Sequence, residues 1–155
     1  MISTSNWNKR YLELAKHVSS WSKDPSTKIG SVAVGNGGQI LSLGYNGFPR
    51  NIEDDHRLID REIKYSLVVH AEMNVIYNAS LNGVSLKDST LYVHGLPICS
   101  ECAKGVIQVG IKKVVMQFDK NINKKWTDSF KLTKNMFTES NISFIEYDEE
   151  LINDG

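Results

Sequence analysis

Apolar side chains recur near the start of the chain at the spacing of an amphipathic helix. They follow one another at intervals of four and three residues: Trp7, Tyr11, Leu14, Val18 and Trp21. This spacing places them on one face, and it predicts a first helix that ends at Lys23-Asp24-Pro25.

Beyond this helix, short apolar runs alternate with helical patterns. Runs over 31–34 and 39–45 predict two strands, and Asn36-Gly37-Gly38 between them predicts a hairpin. Residues 46–69 contain a turn and then a charged, partly helical stretch. The later elements are predicted as helices over 71–81, 103–109 and about 128–137, and as strands over 90–93, 113–118 and 142–147. This order predicts an α/β protein with a five-stranded sheet and helices on its faces, as one domain spanning 1–155.

Composition narrows the function classes. Eighteen basic and eighteen acidic residues cancel, whereas nucleic-acid-binding proteins usually carry a basic excess. The sequence has no secretory signal pattern and no apolar run of about 18 residues, so we expect neither secretion nor membrane spanning. The two cysteines are separated by two residues, which favours metal or redox chemistry in a reducing cytoplasm.

Three short motifs carry candidate chemistry: His70-Ala71-Glu72, Pro97 and Cys99-Ser100-Glu101-Cys102. Catalytic zinc sites use three protein ligands and leave a fourth position for water. His70, Cys99 and Cys102 supply such a set, and the sequence has no third cysteine to close it. Zinc lowers the pKa of bound water towards neutrality, and Glu72 is the candidate proton shuttle. The same combination is the signature of zinc nucleobase deaminases.

Three other interpretations of these motifs stay open. A closed structural zinc site would need a fourth protein ligand, and His17, His56 and His94 lack ligand spacing to the motif. A dithiol redox pair is the second, since two residues separate the cysteines. The third is a chance arrangement of core residues.

From about Trp7 to Tyr147 the sequence resembles the cytidine deaminase superfamily and, within it, the deoxycytidylate deaminases. Besides the zinc motif, the stretches that carry the resemblance are Ser22 to Gly30, Gly44-Tyr45-Asn46-Gly47-Phe48-Pro49, and Cys102-Ala103-Lys104 with Ile107 to Lys113. One feature departs from the family pattern of Pro-Cys-x-x-Cys, because Ile98 separates Pro97 from Cys99. The extra residue lengthens the loop that leads to the first thiolate.

The resemblance implies a three-layer α/β/α fold with a mixed sheet and one catalytic Zn²⁺ per chain. It also implies hydrolysis of deoxycytidylate (dCMP) to dUMP and ammonia, which supplies dTTP synthesis. Asn46 and the backbone near Ala71 are expected to orient the nucleotide. Lys28 is the first candidate for the 5′-phosphate, followed by Arg61 and Lys64.

Regulation and assembly are likewise expectations from the family. They comprise activation by dCTP with Mg²⁺, inhibition by dTTP, and a homohexamer. The apolar first helix is the candidate interface between subunits. The candidate effector residues are Asn46, Gly47 and Arg50.

Alternative functions are a deaminase of another cytosine nucleoside or nucleotide, or of adenosine in tRNA. Acting on a polymer requires contacts to flanking nucleotides, which the neutral net charge disfavours. A non-catalytic zinc-binding module would be expected to lack Glu72. A dithiol oxidoreductase has only the cysteine spacing in its favour.

Overall fold

In the computed structural model, which describes residues 6–122 and 124–149, five strands form one mixed sheet. The strands are β1 (Gly30–Val34), β2 (Ile40–Tyr45), β3 (Thr90–Gly95), β4 (Lys113–Phe118) and β5 (Ser143–Asp148). Their order across the sheet is β2-β1-β3-β4-β5. β1 runs antiparallel to both β2 and β3, whereas β3, β4 and β5 are parallel to one another.

Helices cover both faces of this sheet. They are α1 (Asn6–Ser19), α2 (Arg61–Leu67), α3 (Ala71–Leu81), α4 (Ser100–Gln108) and α5 (Lys124–Glu139), with a 3₁₀ turn at His56–Leu58. Residues of α1 share one apolar cluster with the sheet, and residues of α3, α4 and α5 share the other. The predicted α/β class and the three-layer α/β/α arrangement with a five-stranded mixed sheet are confirmed. None of the helices in the described part of the chain combines the length and apolar character that crossing a bilayer requires.

Successive side chains of the central strand β3 point to opposite faces of the sheet, and both faces are buried. Leu91 and Val93 of β3 belong to the cluster with α3, α4 and α5, whereas Tyr92 between them faces α1. A strand in the middle of a three-layer fold is therefore apolar at successive positions. The parallel strands β3, β4 and β5 are joined through α4 and α5, the usual crossover connection.

Several predicted boundaries agree with the structure and others shift. The helix over 71–81 and the strand over 113–118 have the predicted limits, and the predicted hairpin joins β1 to β2. α4 begins at Ser100, three residues before the predicted start at Ala103, because Cys99 occupies its N-cap position. The charged stretch before residue 70 contains α2, whose N-cap is Asp60.

The predicted apolar face of the first helix is partly wrong. α1 ends at Ser19, and its buried positions include Leu12 and Ala15, whereas Trp7 is 59% exposed. The large aromatic side chains dominate the sequence pattern. In the structure, the face of α1 that packs against the sheet includes the small residue Ala15, which lets the helix approach closely. Gly30 of β1 lies so near α1 that an added Cβ would come within 1.9 Å of the Ala15 carbonyl oxygen.

A second close approach fixes α3 against β2. A Cβ added at Gly44 would lie 2.6 Å from both the carbonyl oxygen of Ala71 and the amide nitrogen of Val75. The side chains of Asn74 and Asn78 bridge the same junction by donating to the carbonyls of Tyr45 and Leu43 at 2.7 and 2.8 Å. Only glycine at position 44 lets the start of α3 sit this close to the sheet.

We therefore expect Gly44→Ala to lower the free energy of unfolding by about 1–3 kcal/mol, the usual cost of overpacking a tight contact. Chemical denaturation monitored by circular dichroism measures it. Gly47→Ala is the matched control, because no atom lies within 4 Å of its added Cβ. Equal stability of the two variants would contradict the close-approach argument.

Candidate active site

Three potential metal ligands meet where α3 and α4 begin. The Sγ atoms of Cys99 and Cys102 lie 3.5 and 3.3 Å from Nδ1 of His70. Zinc bonds of about 2.3 Å to sulfur and about 2.0 Å to nitrogen separate such atoms by about 3.5 Å in a tetrahedral site. These three donors therefore have the spacing and chemistry that one zinc ion requires. Within the described ranges, no other group of three His, Cys, Asp or Glu side chains is close enough to hold a metal.

Both ligand segments are positioned by helix N-termini. His70 and Cys99 are the residues before α3 and α4, and both have extended backbone conformations. Sγ of Cys99 accepts a hydrogen bond from the backbone N–H of Cys102 at 3.5 Å. The positive end of a helix dipole stabilises a thiolate at this position.

Contacts within the ligand set also shift their pKa values. The thiol of Cys102 donates a hydrogen bond to Cys99, which together with His70 lowers the pKa of Cys99 below its ordinary value despite burial. The pKa of Cys102 is raised, since its thiol is the donor and is buried. The hydrogen bond to Cys99 raises the pKa of His70. Cys99 is thus stabilised as a thiolate, the form that binds metal.

Glu72 lies in the first turn of α3, two residues after His70. Its side chain is 3% exposed, and burial raises the pKa of its carboxyl to about 7, although the charge of His70 opposes this. A carboxyl group with this pKa can both accept and release a proton near neutral pH. The geometry and acidity suit a proton shuttle.

His70, Glu72 and Cys99 line a cavity of about 300 Å³. The cavity is completed by residues of the loop after α1, of α2 and of the loop before α4, together with Asn46 and Trp126. These are Asp24, Ser26, Thr27, Ile29, Arg61, Lys64, Tyr65, Val68, Leu96 and Pro97. Trp126 of α5 therefore borders this cavity.

Cationic side chains on the cavity wall come from α2. Nζ of Lys64 lies 2.9 Å from the hydroxyl oxygen of Ser26 and 3.3 Å from a carboxylate oxygen of Asp24, and this ion pair is buried. Arg61 lines the same wall. Lys28, our first sequence candidate for the phosphate, does not line the cavity, because its ammonium donates to the carbonyl of Ser22 instead.

Asp24 holds the loop of this wall in place. It accepts hydrogen bonds from the backbone N–H groups of Ser26 and Thr27 at 2.9 and 3.2 Å. Burial alone would raise the pKa of Asp24, but these hydrogen bonds and Lys64 lower it below its ordinary value. Asp24 therefore stays anionic and offsets one of the two cations, which leaves the wall with a net positive charge.

The other predicted substrate residues differ in their surroundings. Asn46 borders the cavity and is 4% exposed; its side chain accepts from the backbone N–H of Ile29 and donates to the Thr27 carbonyl, both at 2.8 Å. One amide hydrogen of Asn46 remains for another acceptor. Ala71 is fully buried beside Gly44 and is not among the residues that line the cavity.

The three predicted effector residues do not share one cavity. Gly47 and Arg50 line a separate cleft of about 330 Å³ beside α3, together with Asn74 and Tyr77. The guanidinium of Arg50 donates to the side-chain oxygen of Asn78. Asn46 lies in the cavity that contains the metal ligands.

Sequence reasoning missed several residues of the cavity wall. Asp24 and Ser26 lie in a stretch that carries the family resemblance, which could have marked them as site residues. Tyr65 has no comparable signal. The contact from Lys64 to Asp24 spans 40 positions, so only the folded chain reveals it.

The known proteins that this chain resembles are zinc-binding deaminases, which agrees with the ligand set described above. Residues 5–118 match the model of the cytidine and deoxycytidylate deaminase zinc-binding region. An uncharacterized deaminase in the luxG 3′ region of Aliivibrio fischeri is 35% identical over 89% of this chain and 91% of its own length. Deoxycytidylate deaminase of Mus musculus is 36% identical over 81% of this chain and 72% of its own.

The fold has a solved counterpart as well. The crystal structure of the dCMP deaminase of cyanophage S-TIM5 in complex with dCMP and dUMP matches 94% of this chain and 100% of that chain with a TM-score of 0.72, at 22% identity. A His/Cys/Cys zinc site beside a buried glutamate in this fold defines a hydrolytic deaminase. The chain belongs to the cytidine and deoxycytidylate deaminase family.

Replacing Glu72 tests its assignment as the proton shuttle. We expect Glu72→Gln to reduce kcat by at least about 10²–10⁴-fold, the range that general acid–base groups contribute, while zinc binding is kept. Steady-state ammonia release and metal content per chain measure the two effects. Glu139→Gln is the matched control, because Glu139 is an exposed residue at the end of α5 and does not line the cavity. A Glu72→Gln enzyme with near-normal kcat would contradict the assignment.

Proposed function

We propose that this protein hydrolyses dCMP to dUMP and ammonia and thereby contributes to dTTP supply. The observation that supports this most is the shared cavity, which is lined both by His70, Cys99 and Glu72 and by the cationic side chains of Arg61 and Lys64. A cytosine ring needs the first group and a 5′-phosphate needs the second. Relatives named deoxycytidylate deaminase support the same substrate.

In the proposed reaction, three side chains hold the metal and Glu72 transfers the protons. His70, Cys99 and Cys102 hold zinc, which when bound supplies Lewis-acid activation of water near neutral pH. Water attacks C4 of the cytosine ring, and Glu72 takes a proton from it and passes it to ring N3. Glu72 then takes the second proton from the new C4 hydroxyl and delivers it to the departing amine, so that C4 keeps the oxygen as a carbonyl and ammonia leaves. Burial of Glu72 keeps competing water away from this transfer.

Arg61 and Lys64 are proposed to bind the 5′-phosphate. Lys64 is held by Asp24 and Ser26, so its ammonium is ordered before the ligand arrives. Arg61 lies one turn earlier on α2, which places both side chains on one side of the helix. Asn46, through its remaining amide hydrogen, and the backbone near Ala71 are proposed to orient the nucleoside.

The substrate is tested by ammonia release from dCMP, CMP, dCTP, deoxycytidine and adenosine. We expect kcat/KM for dCMP to exceed that for every other compound by at least about tenfold, equivalent to about 1.4 kcal/mol of transition-state binding. Arg61→Ala should lower kcat/KM for dCMP and leave that for deoxycytidine nearly unchanged, since only dCMP carries a phosphate. Lys23→Ala, at an exposed lysine outside the cavity, is the matched control.

Preference for deoxycytidine over dCMP would contradict the phosphate assignment. Activity on adenosine alone would support the tRNA-type alternative. A chain that binds zinc and releases no ammonia from any of these compounds would favour a non-catalytic zinc-binding module.

We further propose that the enzyme is a cytoplasmic homohexamer, activated by dCTP with Mg²⁺ and inhibited by dTTP. The cleft with Gly47 and Arg50 supports an effector site, because it offers a guanidinium beside α3 and is separate from the catalytic cavity. The exposed Trp7 of α1 leaves an aromatic surface for subunit contacts.

Rates measured against dCMP concentration test the regulation. We expect dCTP with Mg²⁺ to convert a sigmoidal curve to a hyperbolic one, dTTP to shift it to higher dCMP, and Arg50→Ala to weaken both effects. Light scattering should give a mass six times that of the 17.5 kDa chain. Identical curves with and without the triphosphates, or a monomeric mass, would refute the corresponding proposal.

A further inference from the structure

Cys99, the first sulfur ligand of the metal site, lies at the end of a loop. α5 forms hydrogen bonds with the backbone immediately before and immediately after this residue. The hydroxyl of Thr133 donates to the carbonyl of Ile98 at 2.9 Å, immediately before Cys99. The backbone N–H of Ser100, immediately after Cys99, donates to the hydroxyl oxygen of Ser129 at 2.9 Å. Ser129 and Thr133 are four residues apart on α5 and therefore project from one side of it.

Burial makes these hydrogen bonds hard to replace. Thr133 and Ile98 are fully buried, so the Ile98 carbonyl would lose its partner without gaining water if the hydroxyl were removed. The N–H of Ser100 belongs to the first turn of α4, where backbone donors have no partner within the helix. Ser129 supplies that partner, and its hydroxyl also donates to the Ser100 side chain at 3.2 Å.

The position of Cys99 depends on these contacts more than that of Cys102 does. Cys102 lies within α4, whereas Cys99 lies at the end of the segment 96–99 that connects β3 to the helix. Ile98 adds one residue to this segment, and a longer connection has more conformations to restrict. The two hydrogen bonds from α5 fix the backbone on either side of Cys99.

We propose that Ser129 and Thr133 are positioning residues that set the metal affinity of the site by holding Cys99 in place. They do not touch the metal. They act through the backbone that carries its first sulfur ligand, and partners of this kind commonly change metal affinity by about 10–100-fold. The proposal rests on the zinc site and is independent of which nucleotide the enzyme deaminates.

Zinc affinity, measured by competition with a chromophoric chelator, tests the proposal. We expect Thr133→Val to weaken zinc binding by at least about tenfold, because valine keeps the shape of threonine and removes the donor. Thr133→Ser, which keeps the donor, should remain within about threefold of the unchanged protein. Thr138→Val is the matched control, since Thr138 is an exposed residue of the same helix.

Two further readouts separate positioning from a general structural role. The visible absorption spectrum of the Co²⁺-loaded protein reports the geometry of the sulfur and nitrogen ligands, and it should change in Thr133→Val and stay unchanged in Thr138→Val. Thermal unfolding of the metal-stripped proteins reports stability without the metal. Lower stability of stripped Thr133→Val, combined with unchanged zinc affinity and an unchanged Co²⁺ spectrum, would overturn the proposal.

Ser129→Ala keeps the test decisive if Thr133→Val does not fold, because Ser129 is only half-buried. This variant leaves the Ser100 N–H without its partner and should also weaken zinc binding by at least about tenfold. Zinc affinity of Ser129→Ala within about threefold of the unchanged protein would refute the role of α5 in holding Cys99.

Discussion

The active site depends on two helices beginning side by side. α3 starts directly after His70 and α4 directly after Cys99. Because these starting points coincide, the ligand atoms of His70, Cys99 and Cys102 all lie within 4.8 Å of one another. Gly44 permits α3 to approach the sheet closely. Strand β3 ends at Gly95, shortly before α4 begins at Ser100. The same helix ends supply a positive electrostatic field for the thiolates, so packing and ligand chemistry have a common origin.

The remainder of the cavity is built by a hydrogen-bond network that joins distant segments. Asp24 organises the loop after α1, pairs with Lys64 of α2, and so connects a loop near the start of the chain to the helix that precedes His70. Asn46 ties the end of β2 to the same loop through Thr27 and Ile29. These hydrogen bonds hold this wall of the cavity in one arrangement without a ligand, and such preorganisation reduces the ordering cost of binding.

Sequence reasoning recovered features that are encoded locally and missed those that depend on packing between distant segments. The metal ligands were identified because their residue types and spacing are chemically specific, and the helix over 71–81 because Asn82-Gly83 marks its end. The face of α1 was predicted only in part, since Ala15 approaches Gly30 without any strong apolar signal. The buried ion pair of Lys64 has its partner 40 positions away, and no local pattern predicts such a contact.

The central claim is that three side chains of this chain bind one zinc ion and leave a position for the reacting water. X-ray absorption spectroscopy of the zinc-loaded protein tests it most directly, because it counts the atoms around the metal and separates sulfur from lighter ligands. The account predicts two sulfur atoms at about 2.3 Å and two nitrogen or oxygen atoms at about 2.0 Å, one of them exchangeable with added inhibitory anions. A shell of four protein ligands, or one that lacks sulfur, would contradict it.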